Sequence, residues 1–185
     1  MSITTKTGDK GKTNLANGER LSKSSLLFNA IGDLDELNSW LGVLISTLDE
    51  SKNYSAHTAF LRDIQQMIYV ISAELVKAKT KGKKVTLDDK KLVLIEKWCS
   101  DLESLLGKDF HQNFLHPGGC KIAAWIDVTR SVCRRAERSM VKLSEKETIR
   151  PIIMSTCNRL SDYLYLLRCL INQQELVEEK QLSLE

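Results

Sequence analysis

Interruptions are scarce in this sequence. Two prolines and nine glycines in 185 residues leave room for long helices, since proline breaks a helix interior and glycine weakens it. No apolar run approaches the ~18 uncharged residues that a membrane span requires. The opening Met-Ser-Ile-Thr-Thr-Lys holds no apolar signal core, so a cytoplasmic location is expected. The cysteines Cys99, Cys120, Cys133, Cys157 and Cys169 form no Cys-x-x-Cys pair and are odd in number. They read as reduced, mostly buried thiols rather than a disulfide framework. His57, His111 and His116 stand at no metal-ligand spacing with a Cys, Asp or Glu cluster, so no zinc site is assigned. No strained nucleophile turn marks a Ser/His/Asp triad. A formal charge of +3 is too small to argue for a nucleic-acid partner.

What the sequence does have is helical periodicity. Residues 1–23 lack it and are rich in Thr, Lys, Gly and Asn, which reads as a loop with turns at Gly8, Gly11 and Gly18. Five amphipathic segments follow over residues 24–176. The first, Ser24 to Asp49, spaces Leu27, Ile31, Leu34, Leu37, Leu41, Leu44 and Leu48 by three or four. The second, Ala56 to Lys79, carries Phe60, Ile64, Met67, Ile71 and Leu75. The third opens with a capping-box-like Thr86-Leu87-Asp88-Asp89, carries Leu92, Ile95, Cys99, Leu102 and Leu106, and closes at Gly107. The fourth runs from Cys120 to Leu143, and the fifth from Pro151, a first-turn proline, to Leu176. No strand pattern competes. The expected fold is all-α, an antiparallel five-helix bundle in one domain spanning 1–185, with 177–185 an acidic tail that frays.

Four groups of residues carry chemistry. The stretch Thr5-Lys6-Thr7-Gly8-Asp9-Lys10-Gly11-Lys12-Thr13 offers glycine backbone and lysine charge to an anion. It fails the spacing of a Walker loop, so a solvated basic loop and a phosphate cradle both remain open. The fourth helix places Arg130, Arg134, Glu137 and Arg138 on one face with Arg135 beside it. That is either a salt-bridged solvated face or a set of guanidinium forks suited to phosphate. Gly32-Asp33-Leu34-Asp35-Glu36 crowds three carboxylates into about one turn, a solvated face or a partner for the arginines. In the fifth helix, Asn158 and Asp162 sit one turn apart.

Taken in order, these blocks resemble the PduO-type ATP:cob(I)alamin adenosyltransferases, from Thr5 to about Arg168. The residues concerned are Thr5 to Thr13, Gly32 to Asn38 with Leu41-Gly42, Phe114 to Gly119, Arg130 to Arg138, and Asn158 to Leu164. The resemblance implies transfer of the adenosyl group of ATP to the cobalt of a reduced corrinoid. It also implies a homotrimer with sites between subunits. ATP would meet Thr5, Lys6, Thr7, Gly8, Thr13, Asn14, Lys23, Arg134, Arg135, Glu137, Arg138 and Asn158, with magnesium on its phosphates. Asp35 would pair with Arg130 across the interface. Phe114 would press on the lower face of the corrin. Cobalt(I) is itself the nucleophile, so no side chain need act as one; Lys6, Arg134 and Arg138 would stabilise the departing triphosphate. A reductase and an adenosylcobalamin-dependent enzyme are the partners this chemistry calls for.

Several positions depart from the family pattern. His116 precedes Pro117-Gly118-Gly119 where an aliphatic residue is usual. Asp127 and Thr129 replace a common His and Ala, and Thr156-Cys157 replace Tyr-Leu. No aromatic residue follows Tyr165, although some members close the corrinoid site with one. These changes spare the nucleotide residues and fall on the corrinoid side. Phe114 is expected to supply an apolar lower face and His116 to turn away from cobalt. The alternative function is a non-catalytic module that binds ATP or adenosylcobalamin. A basic bundle for nucleic acid is the third, poorly supported because acidic residues offset the arginines and no aromatic platform accompanies them. Filter binding with random nucleic acid at moderate salt is expected to be blank; retention would revive the third reading.

Overall fold

The computed structural model describes residues 4, 6, 8–15, 18–51, 53–107, 110 and 115–182. Five helices dominate: α1 (Leu26–Ser51), α2 (Ser55–Leu75), α3 (Lys90–Leu106), α4 (Lys121–Ser144) and α5 (Pro151–Gln174). The apolar stripes become the core: Leu34, Leu37, Leu41, Leu44 and Leu48 of α1 are fully buried, and Phe60, Ile64, Met67 and Ile71 of α2 nearly so. Helix α1 packs on α2 and α4, α4 on α5, and α5 on α3. Cross-contacts fix the directions. Asp33, Glu36 and Trp40 of α1 meet Ser139, Arg135 and Trp125 of α4, so these helices are antiparallel. Likewise Asn158 and Arg168 of α5 meet Glu137 and Asp127 of α4. The expected antiparallel five-helix bundle is what forms.

Helix α5 is the centre. It is buried on nearly every face, including the polar Thr156, Ser161, Arg168 and Asn172, as befits a helix enclosed by others. Pro151 occupies its first turn. Arg150 just before it donates to both oxygens of Glu74 (2.6 and 3.1 Å), to the Leu87 carbonyl (2.6 Å) and to Asp89 (3.1 Å). The end of α2, the approach to α3 and the start of α5 are thereby tied together.

Three details differ from the sequence expectation. First, two small antiparallel hairpins exist. One, β1 (Lys12–Asn14) with β2 (Arg20–Ser22), shapes the N-terminal loop; the other, β3 (Lys79–Thr80) with β4 (Lys83–Lys84), follows α2. In the second, Lys81 and Gly82 both have positive φ (51° and 76°), the geometry of a two-residue type I′ turn. Second, α2 ends at Leu75 rather than Lys79. Lys77 adopts φ 54° and the Ala78 N–H reaches back to the Ala73 carbonyl (2.9 Å), a Schellman stop built on lysine instead of glycine. The expected cap at Thr86 is also absent: α3 starts at Lys90, whose N–H is received by the Asp88 carboxylate at 3.0 Å. Third, the tail is held as far as residue 181: His116 N–H bonds the Lys180 carbonyl (2.9 Å) and Leu115 bridges Gln181.

Inside the bundle, His57 of α2 lies against Trp98 and its Nδ1 is 3.1 Å from the Tyr163 hydroxyl. Burial lowers the His57 pKa below its ordinary 6.5. The unfolded chain therefore binds the proton more readily, and stability rises with pH across the window. The contribution is complete above about pH 6.5 and lost as pH falls through the lower folded value. Thermal melts between pH 7.5 and 5.5 are expected to show a fall in stability, at most about 1.4 kcal/mol per pH unit from this group. The fall should be shallower in His57→Gln; equal slopes would remove His57 from the account.

Candidate functional site

Helix α4 presents one face to α1 and α5 and the other outward. Val132, Cys133, Ala136 and Met140 face in, which forces Arg134 and Arg138 out, one turn apart. Neither has an ion-pair partner among the described residues. Glu137 lies between them and accepts from the Asn158 Nδ2 of α5 at 3.1 Å. These side chains, with Val141, Lys142 and Glu145, line a cavity of about 600 Å³. Four residues singled out in the sequence, Arg134, Glu137, Arg138 and Asn158, thus meet. The uncompensated guanidinium charge invites an anion of several charges.

Arg135 is placed differently. Its guanidinium forms an ion pair with Glu36 and approaches Asp33 at 3.7 Å. Asp33 also accepts from the Ser139 hydroxyl. Two of the three crowded carboxylates of α1 therefore clamp α4 within the same chain. The third, Asp35, is exposed and makes no ion pair among the described residues. Arg130 stacks its guanidinium 5.4 Å from the Tyr165 ring centroid, and its buried Nε has no hydrogen-bond partner among the described residues. Asp162 pairs with Arg159 at 2.5 Å rather than with Asn158.

The N-terminal loop is built around the β1–β2 hairpin. Leu15 is buried and Leu21 packs on the core, which anchors it. Lys6 takes φ 56°. Lys23 donates its N–H to the Gly11 carbonyl at 2.9 Å. Its ammonium would meet a Cβ at Gly8 at 3.0 Å, so Gly8 is the residue that admits it. Thr13 pairs with Leu21 and Asn14 with Arg20. Thr5, Thr7, His111 and Phe114 lie outside the described residues. Among the described residues, none of the loop lines the arginine cavity.

A second cleft of about 520 Å³ opens between α1 and α4. Trp40, Val128 and Val132 give it an apolar wall, Pro117 and Gly118 one rim, and Glu36, Asp127 and Arg135 a polar edge. Beneath that rim lies a cluster that the sequence reading missed. Arg168 of α5, 2% exposed, pairs with Asp127 (3.3 Å) and Glu179 and donates to the His116 carbonyl (2.8 Å). The available signal was one arginine inside the apolar run Leu164 to Ile171. Among the described residues no group of three His, Cys, Asp or Glu could hold a metal ion.

The chain is similar to known proteins over nearly its whole length. The family model described as cobalamin adenosyltransferase matches residues 3–171. A cobalamin adenosyltransferase of Cupriavidus metallidurans is 35% identical, over 92% of this chain and 88% of its own length. A corrinoid adenosyltransferase of Bacillus subtilis is 33% identical over 93% of this chain and 87% of its own. A variant PduO-type ATP:corrinoid adenosyltransferase from Lactobacillus reuteri, solved complexed with cobalamin and ATP, superposes with a TM-score of 0.88. It is 28% identical and the match covers 98% of this chain and 99% of that one.

The two neighbouring arginines should separate on substitution. Arg135→Ala removes half-exposed ion pairs between α1 and α4 and is expected to cost about 1 kcal/mol in denaturant unfolding. Arg134→Ala removes no internal partner and should leave stability unchanged. Equal losses would mean that Arg134 is also a structural clamp.

Proposed function

Since this chain belongs to the cobalamin adenosyltransferase family, we infer that it is an ATP:cob(I)alamin adenosyltransferase. It transfers the 5′-deoxyadenosyl group of ATP to the cobalt of a reduced corrinoid and releases triphosphate. The relatives' named activity, over nearly the whole chain, supports catalysis over a non-catalytic binding module. The observation that carries the reading is the pair Arg134 and Arg138, left without carboxylate partners beside Asn158 and Glu137.

The reaction suits such a site. The cobalt(I) lone pair attacks C5′, the C5′–O bond breaks, and the triphosphate leaves with the bonding pair. No protein group exchanges a proton at the reacting carbon. The protein's contribution is positioning and a fixed positive field where negative charge collects on the leaving group. Arg134, Arg138 and Lys6 supply that field. Asn158, tied to Glu137, orients the nucleotide, and Gly8, Thr13, Asn14 and Lys23 complete the phosphate cradle with Thr5 and Thr7. Arg135 acts indirectly, by holding α4 against α1. Magnesium fits as an ion carried by the phosphates, since Glu137 and Glu145 offer carboxylates without a protein cage. Bound there, it would spread the charge of the leaving group.

The corrin is assigned to the cleft between α1 and α4, whose rim at Pro117-Gly118 follows Phe114 in the chain. Phe114 would keep the lower axial position free of donors, which eases reduction of cobalt(II). The nucleotide site is assigned to a subunit boundary in a homotrimer. Three observations among the described residues support this: no loop residue lines the arginine cavity, Asp35 makes no ion pair, and the buried Arg130 Nε has no acceptor. An Asp35–Arg130 pair between copies answers both needs. The whole of 1–185 acts as one domain in the cytoplasm, supplied with cobalt(I) by a reductase. No helix among the described residues is long and apolar enough to cross a membrane.

An anaerobic spectral assay with ATP and chemically reduced cobalamin should show loss of the cobalt(I) band and release of triphosphate. Arg134→Ala and Asn158→Ala should each weaken ATP use by roughly 1.5–3 kcal/mol, the worth of a charge-assisted contact. Nucleotide binding without loss of the cobalt(I) band would favour the non-catalytic module. Light scattering should give a trimer at micromolar concentration; a stable monomer would remove the shared site.

A further inference from the structure

The cluster around Arg168 is more elaborate than packing requires. A guanidinium buried to 2% exposure on the central helix is costly unless every donor is answered. Here Nε faces Asp127 at 3.3 Å, Nη1 meets Glu179, and Nη2 donates to the carbonyls of His116 (2.8 Å) and Gly118 (3.4 Å). An apolar side chain of similar volume would fill this place with no such demands. The arrangement instead serves position, because besides Asp127 of α4 its acceptors come from two further segments of chain.

One segment is the turn 116–119. Besides the two carbonyls held by Arg168, the Gly118 N–H donates to Asp127 at 2.6 Å and the Gly118 carbonyl receives Asn172 Nδ2 at 2.9 Å. Gly118 and Gly119 have φ of 116° and 106°, open to glycine alone, and a Cβ on Gly119 would collide with the Asn172 amide. The other segment is 177–181. Leu176 at φ 54° reverses the chain, and Val177 N–H bonds the Asn172 carbonyl at 2.9 Å. That reversal brings Glu179 back to Arg168 and to Asn172 Nδ2 (2.8 Å), and Lys180 and Gln181 alongside His116 and Leu115. Pro117, Gly118 and Asp127 are at once part of this cluster and part of the cleft between α1 and α4.

We propose that Arg168 and Glu179 are positioning residues that latch segment 177–181 onto the 116–119 turn and so hold one wall of the corrinoid cleft in place. The proposal rests on the assignment of the corrin to that cleft. Arg168 lies ten residues along α5 from Asn158, about 15 Å at the helical rise. The latch therefore bears on the corrinoid and not on the nucleotide.

Glu179→Gln tests this without threatening the fold, because the Asp127–Arg168 pair survives it. The KM for cob(I)alamin should rise about tenfold, the equivalent of about 1.4 kcal/mol, while the KM for ATP and the melting temperature stay near wild type. Glu179→Asp should recover part of the loss, and a chain ending at Val177 should reproduce Glu179→Gln or exceed it. Without substrates, amide hydrogen exchange in the peptide spanning 115–120 should accelerate in Glu179→Gln. A wild-type protein that consumes cob(I)alamin, paired with a variant of unchanged corrinoid KM, overturns the latch. So does an equal rise in both KM values, or unchanged exchange. A wild-type protein that leaves the cobalt(I) band untouched instead overturns the activity on which the latch depends.

Discussion

The bundle turns on the burial of α5, which packs directly on α3 and α4. A helix so enclosed must find partners for most of the polar side chains it carries, because water is not available to supply them; the Thr156 hydroxyl is left without one among the described residues. Tyr163 answers with His57 across the bundle, Arg168 with Asp127 and Glu179, and Asn172 with the backbone around Gly118. Each answer fixes a different neighbour: α2, α4, and the turn that enters α4. Asn158, farther toward the start of the helix and exposed, is the polar residue on α5 that faces the arginine cavity. Where the central helix comes to the surface, the arginine cavity begins.

The second organising element is the amphipathy of α4. Its inner face spends small and apolar residues, Ala123, Ile126, Cys133 and Ala136, on close approach to its neighbours. Its outer face is then free to concentrate positive charge. Two arginines next to each other in sequence end up with opposite roles because a helix turns 100° per residue. Arg135 falls over α1 and meets Glu36; Arg134 falls over open space. A charge already matched by internal carboxylates adds little field, while an unmatched one is available to a ligand.

The helices were legible because their stripes are long and regular, and Leu34 to Leu48 step through the core as the spacing requires. The arginine face and Asn158 were legible as candidates, but not the division of labour between Arg134 and Arg135, which depends on where α1 lies. Helix ends were less legible. The stops after Leu75 and Gln174 use Lys77 and Leu176 in the left-handed region, where glycine is the residue a sequence reader looks for. The hairpins are too short for a period of two to declare itself. The Arg168 cluster escaped because its members are scattered over more than fifty residues. Asp127, noted only as a departure from the family, is half of an ion pair whose other half sits forty-one residues later.

The buried thiols carry a consequence for chemical selectivity. Burial pushes the Cys99 and Cys157 thiols up to about 12 and Cys133 well above its ordinary value, and Cys169 is raised as well. A thiolate is both a strong ligand for cobalt and a competent nucleophile toward the carbon that cobalt(I) attacks. Held protonated and enclosed, these four sulfurs take part in neither reaction. For these four, the packing that holds the bundle together also keeps sulfur away from the carbon that cobalt(I) attacks; the fifth cysteine, Cys120, is half-buried at the start of α4 and is not enclosed in this way.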